Sequence, residues 1–248
     1  MVGFKRTIQL VLALAAIALP FTGSALAQPP EDRLPPGVTI ATPLPPDSYP
    51  QMPSAIKMLE NGNIRLGGVE VDPKAGTVKF EGEFNMREGG LEYAIVAHHG
   101  KLHESLLRTA ISPYDLQVAL VLLGLKSGRP LDYQGDPRAP EGDPVAIGVE
   151  WQDGGKSNKA RIEELVMNMN NKKQMPRMNW IYTGSRIFEG RLMAQIERSL
   201  VAIFHDPAAI IDNPLPEGGD DTIWFVNTEK VPVPGTKASI TIEAVKLK

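Results

Sequence analysis

Glu88-Gly-Gly-Leu-Glu-Tyr-Ala-Ile-Val-Ala-His-His-Gly-Lys-Leu-His-Glu-Ser-Leu-Leu107 joins two apolar runs through a polar turn. Leu91, Tyr93, Ile95 and Ala97 alternate, which is the pattern of a half-buried strand. Gly100-Lys101 breaks the run before Leu106-Leu107 resumes it. The stretch reads as a β-hairpin, with His99-Gly100-Lys101-Leu102 as its loop and the two strands antiparallel. His98 and His103 then face each other with Cβ atoms about 5 Å apart. A helical reading of the same residues puts His99 and His103 at i and i+4 on one face. Either geometry pairs two imidazoles, and three of the four histidines lie here.

The flanking sequence extends this strand-and-turn pattern. Ile64-Arg-Leu66 and Val69-Glu-Val71 alternate around Gly67-Gly68. Asp72-Pro73-Lys74-Ala75-Gly76 is a turn, since proline presets φ and glycine accepts positive φ. Val78, Phe80, Gly82 and Phe84 then alternate with Lys79, Glu81 and Glu83. Ser112-Pro113 with Asp115 forms a helix start resembling a capping box. Leu116 to Leu123 is apolar nearly all round, which predicts a helix buried on most sides and ended by Gly124. Residues 127–144 read as a surface loop, and 160–169 as a helix. Val145 to Trp151, Trp180 to Thr183, Thr222 to Val226 and Ala238 to Leu247 read as strands. Residues 191–204 fit a helix in their first part and a strand in their second. The expectation is a β-rich α+β single domain: a mostly antiparallel sheet, one well-defined buried helix and one or two shorter helices.

Before this domain the chain has a different character. Lys5 and Arg6 precede the apolar run Leu10 to Leu19, and Ala25-Leu26-Ala27 supplies a small-x-small pattern. Residues 1–27 therefore read as a signal peptide cleaved after about Ala27, which places the mature protein in the periplasm or outside the cell. Residues 28–54 are rich in proline and read as an extended tether without a core of its own. The globular domain occupies 55–248. No later run is long enough to span a membrane.

Composition removes several chemistries. The chain has no cysteine, so disulfides, thiolate metal sites and a cysteine nucleophile are excluded. The formal charge is −3, and loss of Lys5 and Arg6 with the leader makes it more negative. That balance argues against nucleic acid, whose phosphates need a basic surface. Glu217, Asp220 and Asp221, with Asp212 and Asn213, lack the ordered spacing of a calcium loop and read as a solvated acidic loop.

The candidate chemistry concentrates in His103-Glu104-Ser105. Imidazole and carboxylate suit a divalent transition metal, with Glu92 as a further oxygen donor. However, His-x-x-x-His-Glu is not the zinc-protease pattern, where the glutamate lies between the histidines. Ser105 lies two residues after His103. In a strand these two share a face and Glu104 points the other way, so they do not form a relay of nucleophile, base and orienting acid.

The sequence resembles the YdjY domain family of bacterial envelope proteins over about Asn63 to Leu247. The segments that carry the resemblance are Asn85-Met-Arg-Glu-Gly89, Gly100-Lys-Leu-His-Glu-Ser-Leu-Leu107 and Leu120-Val-Leu-Leu-Gly124. Others are Val149-Glu-Trp151, Trp180-Ile-Tyr-Thr-Gly-Ser-Arg186 and Asp206-Pro-Ala-Ala-Ile-Ile-Asp-Asn-Pro214. The resemblance implies no known reaction, substrate or catalytic residue. It marks Glu88, His103, Glu104 and Ser105 as candidate ligand-binding positions, and His103 with Glu104 as the candidate metal pair. The expected function is a non-catalytic module that binds a small molecule or protein partner in the cell envelope. The alternative is a metal-binding or enzymatic domain that uses His103 and Glu104.

Overall fold

A computed structural model describes residues 52–245. The leader 1–27 and residues 28–51 of the proline-rich segment lie outside them. Strands β1 (Ile56–Met58), β2 (Ile64–Leu66), β3 (Val69–Asp72) and β4 (Thr77–Phe84) form an antiparallel meander. Next come β5 (Tyr93–Ala97), β6 (Ser105–Thr109), helix α1 (Pro113–Leu122), β7 (Asp143–Asp153) and β8 (Lys156–Arg161). Strands β9 (Val166–Asn168), β10 (Lys173–Gln174), β11 (Trp180–Tyr182), β12 (Ile187–Phe188) and β13 (Arg191–Leu192) follow. The chain continues through helix α2 (Met193–Glu197), β14 (Ser199–Ala202), β15 (Ile211–Asp212), β16 (Trp224–Val226) and β17 (Lys237–Ala244).

The expected open antiparallel sheet is corrected by closure. Strands β4, β17, β7, β11, β15, β14, β5 and β6 pair in that order, and β6 pairs back onto β4, making an eight-stranded barrel. Two of its pairings, β5–β6 and β14–β15, are parallel. One edge of β4 changes partner along its length. Thr77 to Phe80 pair with β3, and Gly82 to Phe84 pair with β6. Gly82 sits where the β6 pairing begins. A Cβ there would lie 3.0 Å from the Arg108 carbonyl oxygen and 2.8 Å from Ile240 Cδ1, so a larger residue would have to displace Ile240 and press on that carbonyl. Glu83 secures the seam from outside, accepting from Arg108 Nε at 2.6 Å and from Lys237.

The barrel core follows from strand alternation. Phe80, Ile240 and Val149 lie side by side in register, as do Val78, Ile242 and Ile147, and all six are buried. The intervening positions Glu81, Ser239 and Glu150 form the outward row. Phe84 and Trp151 meet edge to face at 5.3 Å.

The helix expectations also change. Helix α1 buries Leu116, Ala119 and Leu120 but leaves Val121 55% exposed, so it is covered on one side rather than most. An apolar run does not specify how many neighbours it will have, and here they are chiefly β3, outside the eight barrel strands, and α2. The expected capping box does not form. Ser112 Oγ donates to Gln195 Oε1 at 3.0 Å, and that oxygen also accepts the Tyr114 N–H, so α2 caps α1. Asp115 instead accepts from Ser54 N and Oγ at 2.6 and 2.8 Å, fixing the last residue assigned to the tether onto the domain.

Residues 160–169 are not a helix. They divide into the end of β8, a 3-10 turn at Ile162–Leu165 and β9. The buried Glu163 accepts a two-pronged pair from Arg161 at 2.7 and 3.2 Å, which holds that turn. In 191–204 the chain adopts both readings in succession, with α2 and β14 separated by Arg198 at φ +66°.

Candidate functional site

The stretch from Glu88 to Leu107 is not a hairpin. Strands β5 and β6 are parallel neighbours, with Tyr93 opposite Ser105 and Ala97 opposite Thr109. Residues 98–104 therefore carry the chain back to the start of β5. Most parallel connections need a dozen residues or more, and this short one is built from local bonds. His99 takes φ +68°, and Gly100 N–H donates to the Ala97 carbonyl at 3.0 Å. A Cβ on Gly100 would lie 2.9 Å from Arg198 Cβ and 3.0 Å from the Ala97 oxygen, so a larger residue cannot pass this close to β5. Leu102 plugs into a small second apolar cluster with Tyr93, Val96, Ala202 and Ala209. Asn85 ties the return leg from beneath, donating to the carbonyls of Leu102 and Ser105 at 2.6 and 2.7 Å.

Parallel strands separate the histidines. His98 is exposed and has Arg108 and Glu83 among its charged neighbours, whereas the neighbours of His103 are Glu104, Glu92 and Lys101. Neither expected imidazole pair forms. His103 Nε2 lies 3.2 Å from Glu104 Oε2, and this contact raises the imidazole's proton affinity. Among the described residues no group of three or more His, Asp or Glu side chains is placed to hold a metal ion.

The other expected positions divide. Ser105 is fully buried and donates to the Lys101 carbonyl at 2.5 Å, so its hydroxyl fastens the turn. Glu88 is exposed in a turn whose Gly89 carbonyl accepts from Val226 of β16. The structure thus brings together His103 and Glu104, and leaves Glu88 and the Ser105 hydroxyl out of that contact.

Glu92 is the residue that joins them. Its backbone N–H donates to the Glu104 carbonyl at 2.9 Å, which sets the two carboxyl groups near each other. Burial first, and then the Glu104 charge, push the Glu92 carboxyl up to about 7. Behind this pair runs a polar chain. Lys101 Nζ donates to Tyr93 Oη at 2.7 Å and lies 4.9 Å from the Tyr93 ring centroid, while Tyr93 donates to the buried Asp206 at 2.8 Å. Asp212 is fully enclosed beside Asp206, and burial pushes its carboxyl well above the ordinary range. The backbone N–H groups of Asp206 and Asn213 donate to it at 3.2 and 2.7 Å.

The loop after α1 covers the outer side of this cluster. Gln134 Nε2 donates to Glu92 Oε2 at 3.3 Å. Arg186 donates to the carbonyls of Leu131 and Asp132, tying the same loop to the β12–β13 hairpin. His205, the fourth histidine, is buried behind it, with its ring nitrogens facing the carbonyl oxygens of Asp136 at 2.5 Å and Asn213 at 2.8 Å. Sequence reasoning missed Gln134, Tyr93 and His205. Asp212 and Asn213, expected in a solvated acidic loop, are instead buried, because Asp212 sits in strand β15 and Asn213 donates to the Ile203 carbonyl.

A sequence profile of the YdjY domain matches residues 69–243. The chain belongs to the YdjY domain family. That match begins at β3 and ends within β17, so it takes in all eight barrel strands and the Glu92–Glu104 cluster. Comparison with curated proteins and with solved structures finds no match to this YdjY domain chain. Among its described residues no helix is long and apolar enough to cross a membrane.

Proposed function

We propose that this YdjY domain is an exported, non-catalytic binding module. It presents the rim formed by residues 98–104, the loop around Tyr133 and the β12–β13 hairpin to a protein partner in the cell envelope. The observation that carries this reading is a set of exposed apolar side chains beside the polar cluster. Tyr133, Ile187 and Phe188 are 58, 61 and 56% exposed. Arg186 and Gln134 join their two segments to each other and to Glu92. Apolar side chains grouped on a surface and edged by polar ones are the usual mark of a contact site. Ser105, the nearest hydroxyl to the His103–Glu104 pair in sequence, is enclosed and already bonded, which favours binding over nucleophilic chemistry.

Panning a random-peptide phage library on the folded protein tests the reading. The expected result is an enriched peptide family with apolar anchors whose affinity falls about tenfold or more in Phe188→Ser, while Val233→Ser retains it. Failure to enrich, or equal binding to Phe188→Ser, overturns the proposal. So does turnover in an unbiased hydrolase or redox screen that is lost in Glu104→Gln. Stoichiometric uptake of a divalent metal lost in His103→Ala would support the alternative use of His103 and Glu104.

A further inference from the structure

We infer that the occupant of this rim is an extended polypeptide segment in which lysine or arginine side chains accompany apolar ones, the basic group meeting Glu92 and Glu104 while the apolar groups cover Tyr133, Ile187 and Phe188. This rests on the binding reading above and adds the chemistry of the partner.

The cations around the rim are already compensated within the protein. Arg186 reaches the carbonyls of Leu131 and Asp132. Arg138 pairs with Asp132 and Asp136, and Arg129 lies 3.2 Å from Asp132. Lys101 is turned onto the Tyr93 hydroxyl and ring. Arg191 has Glu189 beside it at 3.9 Å. The cations of the rim are therefore engaged within the protein. Its carboxyls are not matched in the same way. Glu92 and Glu104 are neighbours, and Asp221 adds a third negative charge near Glu92, while the cations that face them are the Lys101 ammonium, already bonded to Tyr93 Oη, and the exposed imidazole of His103 on Glu104, so carboxyls outnumber cations here. Two carboxyls in contact disfavour each other's ionised form, and an incoming ammonium or guanidinium removes that penalty.

The apolar half supplies the second, independent requirement. Three large apolar side chains more than half exposed are poorly matched to a free small cation, and they suit a chain that carries its own apolar groups. Gln134 links the two halves, since its side chain bonds Glu92 while its neighbour Tyr133 stands in solvent. The distance between the charged and apolar ends must be spanned, which a peptide does and a single amine does not.

Fluorescence anisotropy with three labelled pentapeptides tests this on the whole protein: Phe-Lys-Leu-Lys-Phe and the counterparts with Gln or Glu replacing both lysines. The lysine peptide is expected to bind about tenfold tighter than the glutamine peptide, with the glutamate peptide weakest. In a Glu92→Gln, Glu104→Gln double variant the lysine peptide should fall to the glutamine peptide's affinity, and the glutamine peptide should be unchanged. In Phe188→Ser all peptides should weaken. Equal affinity for lysine and glutamine peptides, or a lysine preference that survives in the double variant, overturns the inference. If charge is irrelevant but Phe188→Ser still abolishes binding, the binding reading stands and the basic partner falls. If no peptide binds, both fall.

Discussion

Glu92 and Glu104 are tied through their backbones, N–H to carbonyl at 2.9 Å, and burial, then the Glu104 carboxyl set beside it, raise the Glu92 carboxyl. The backbone bond fixes the start of β5 against the end of the 98–104 connection. The side chains then have no freedom to relax by moving their strands apart, so the repulsion is relieved by a proton.

The first prediction concerns pH. In the folded protein Glu92 is raised from 4.5 to about 7, so between those values the folded state holds a proton that the unfolded chain has released. Stability therefore falls as pH rises through this window, and the loss is complete above about 7. Glu104→Gln removes the neighbouring charge. It should lower the Glu92 midpoint toward the ordinary carboxylate range and flatten the pH dependence, as read by carbon NMR of the Glu92 carboxyl and urea melts at several pH values. A midpoint near 4.5 in the wild-type protein contradicts this.

Removing Arg161 should be among the most damaging single changes. Glu163 is completely buried, and Arg161 neutralises it through two contacts. Arg161→Met is expected to cost about 3–5 kcal/mol by leaving an uncompensated buried charge, and a second change, Glu163→Leu, should restore much of it. Chemical denaturation of the single and double variants measures both.

The bare Cα at Gly82 lets β4 pack closely against β6 and β17. Gly82→Val must displace Ile240 and press on the Arg108 carbonyl, so it should cost about 1–3 kcal/mol. Hydrogen exchange should show the loss concentrated in the amides that pair β4 with β6.

Tyr93→Phe deprives the buried Asp206 of its hydroxyl donor and Lys101 of its acceptor. A cost of about 1–3 kcal/mol is expected, since a buried acceptor left unmet carries its full desolvation penalty. Thermal unfolding of the variant checks the value.

Much of the local structure was legible because it is written in alternation and turns. The run Val78, Phe80, Gly82, Phe84 is β4, and Val145 to Trp151 lies within β7. Closure was not legible, because the same alternation serves an open sheet and a barrel. What decides between them is long-range: Gly82 opposite Thr109, and Glu83 paired to both Arg108 and Lys237. The parallel course of β5 and β6 was hidden for a related reason. A short polar break with a glycine is the ordinary signature of a hairpin, and the sequence does not show that Gly100 is squeezed between Ala97 and Arg198. The candidate site was half legible. His103-Glu104 stands out as a polar pair with Glu92 as a further oxygen donor, but the alternating pattern does not show that Glu92 bonds the Glu104 backbone. Its role appears only when the chain doubles back. Register shifts between β14 and β5 also spoil the alternation at Tyr93, which leaves the main core for the second cluster.

The most direct test of the rim as a binding surface is amide chemical-shift mapping of isotope-labelled protein titrated with the Phe-Lys-Leu-Lys-Phe peptide. Saturable shifts are expected at Glu92, at Lys101 to Glu104, at Tyr133 and Gln134, and at Ile187 and Phe188, with the outer face of β17 unmoved. Absence of saturable shifts, or shifts centred on β17 and β7 instead, would contradict binding at this rim.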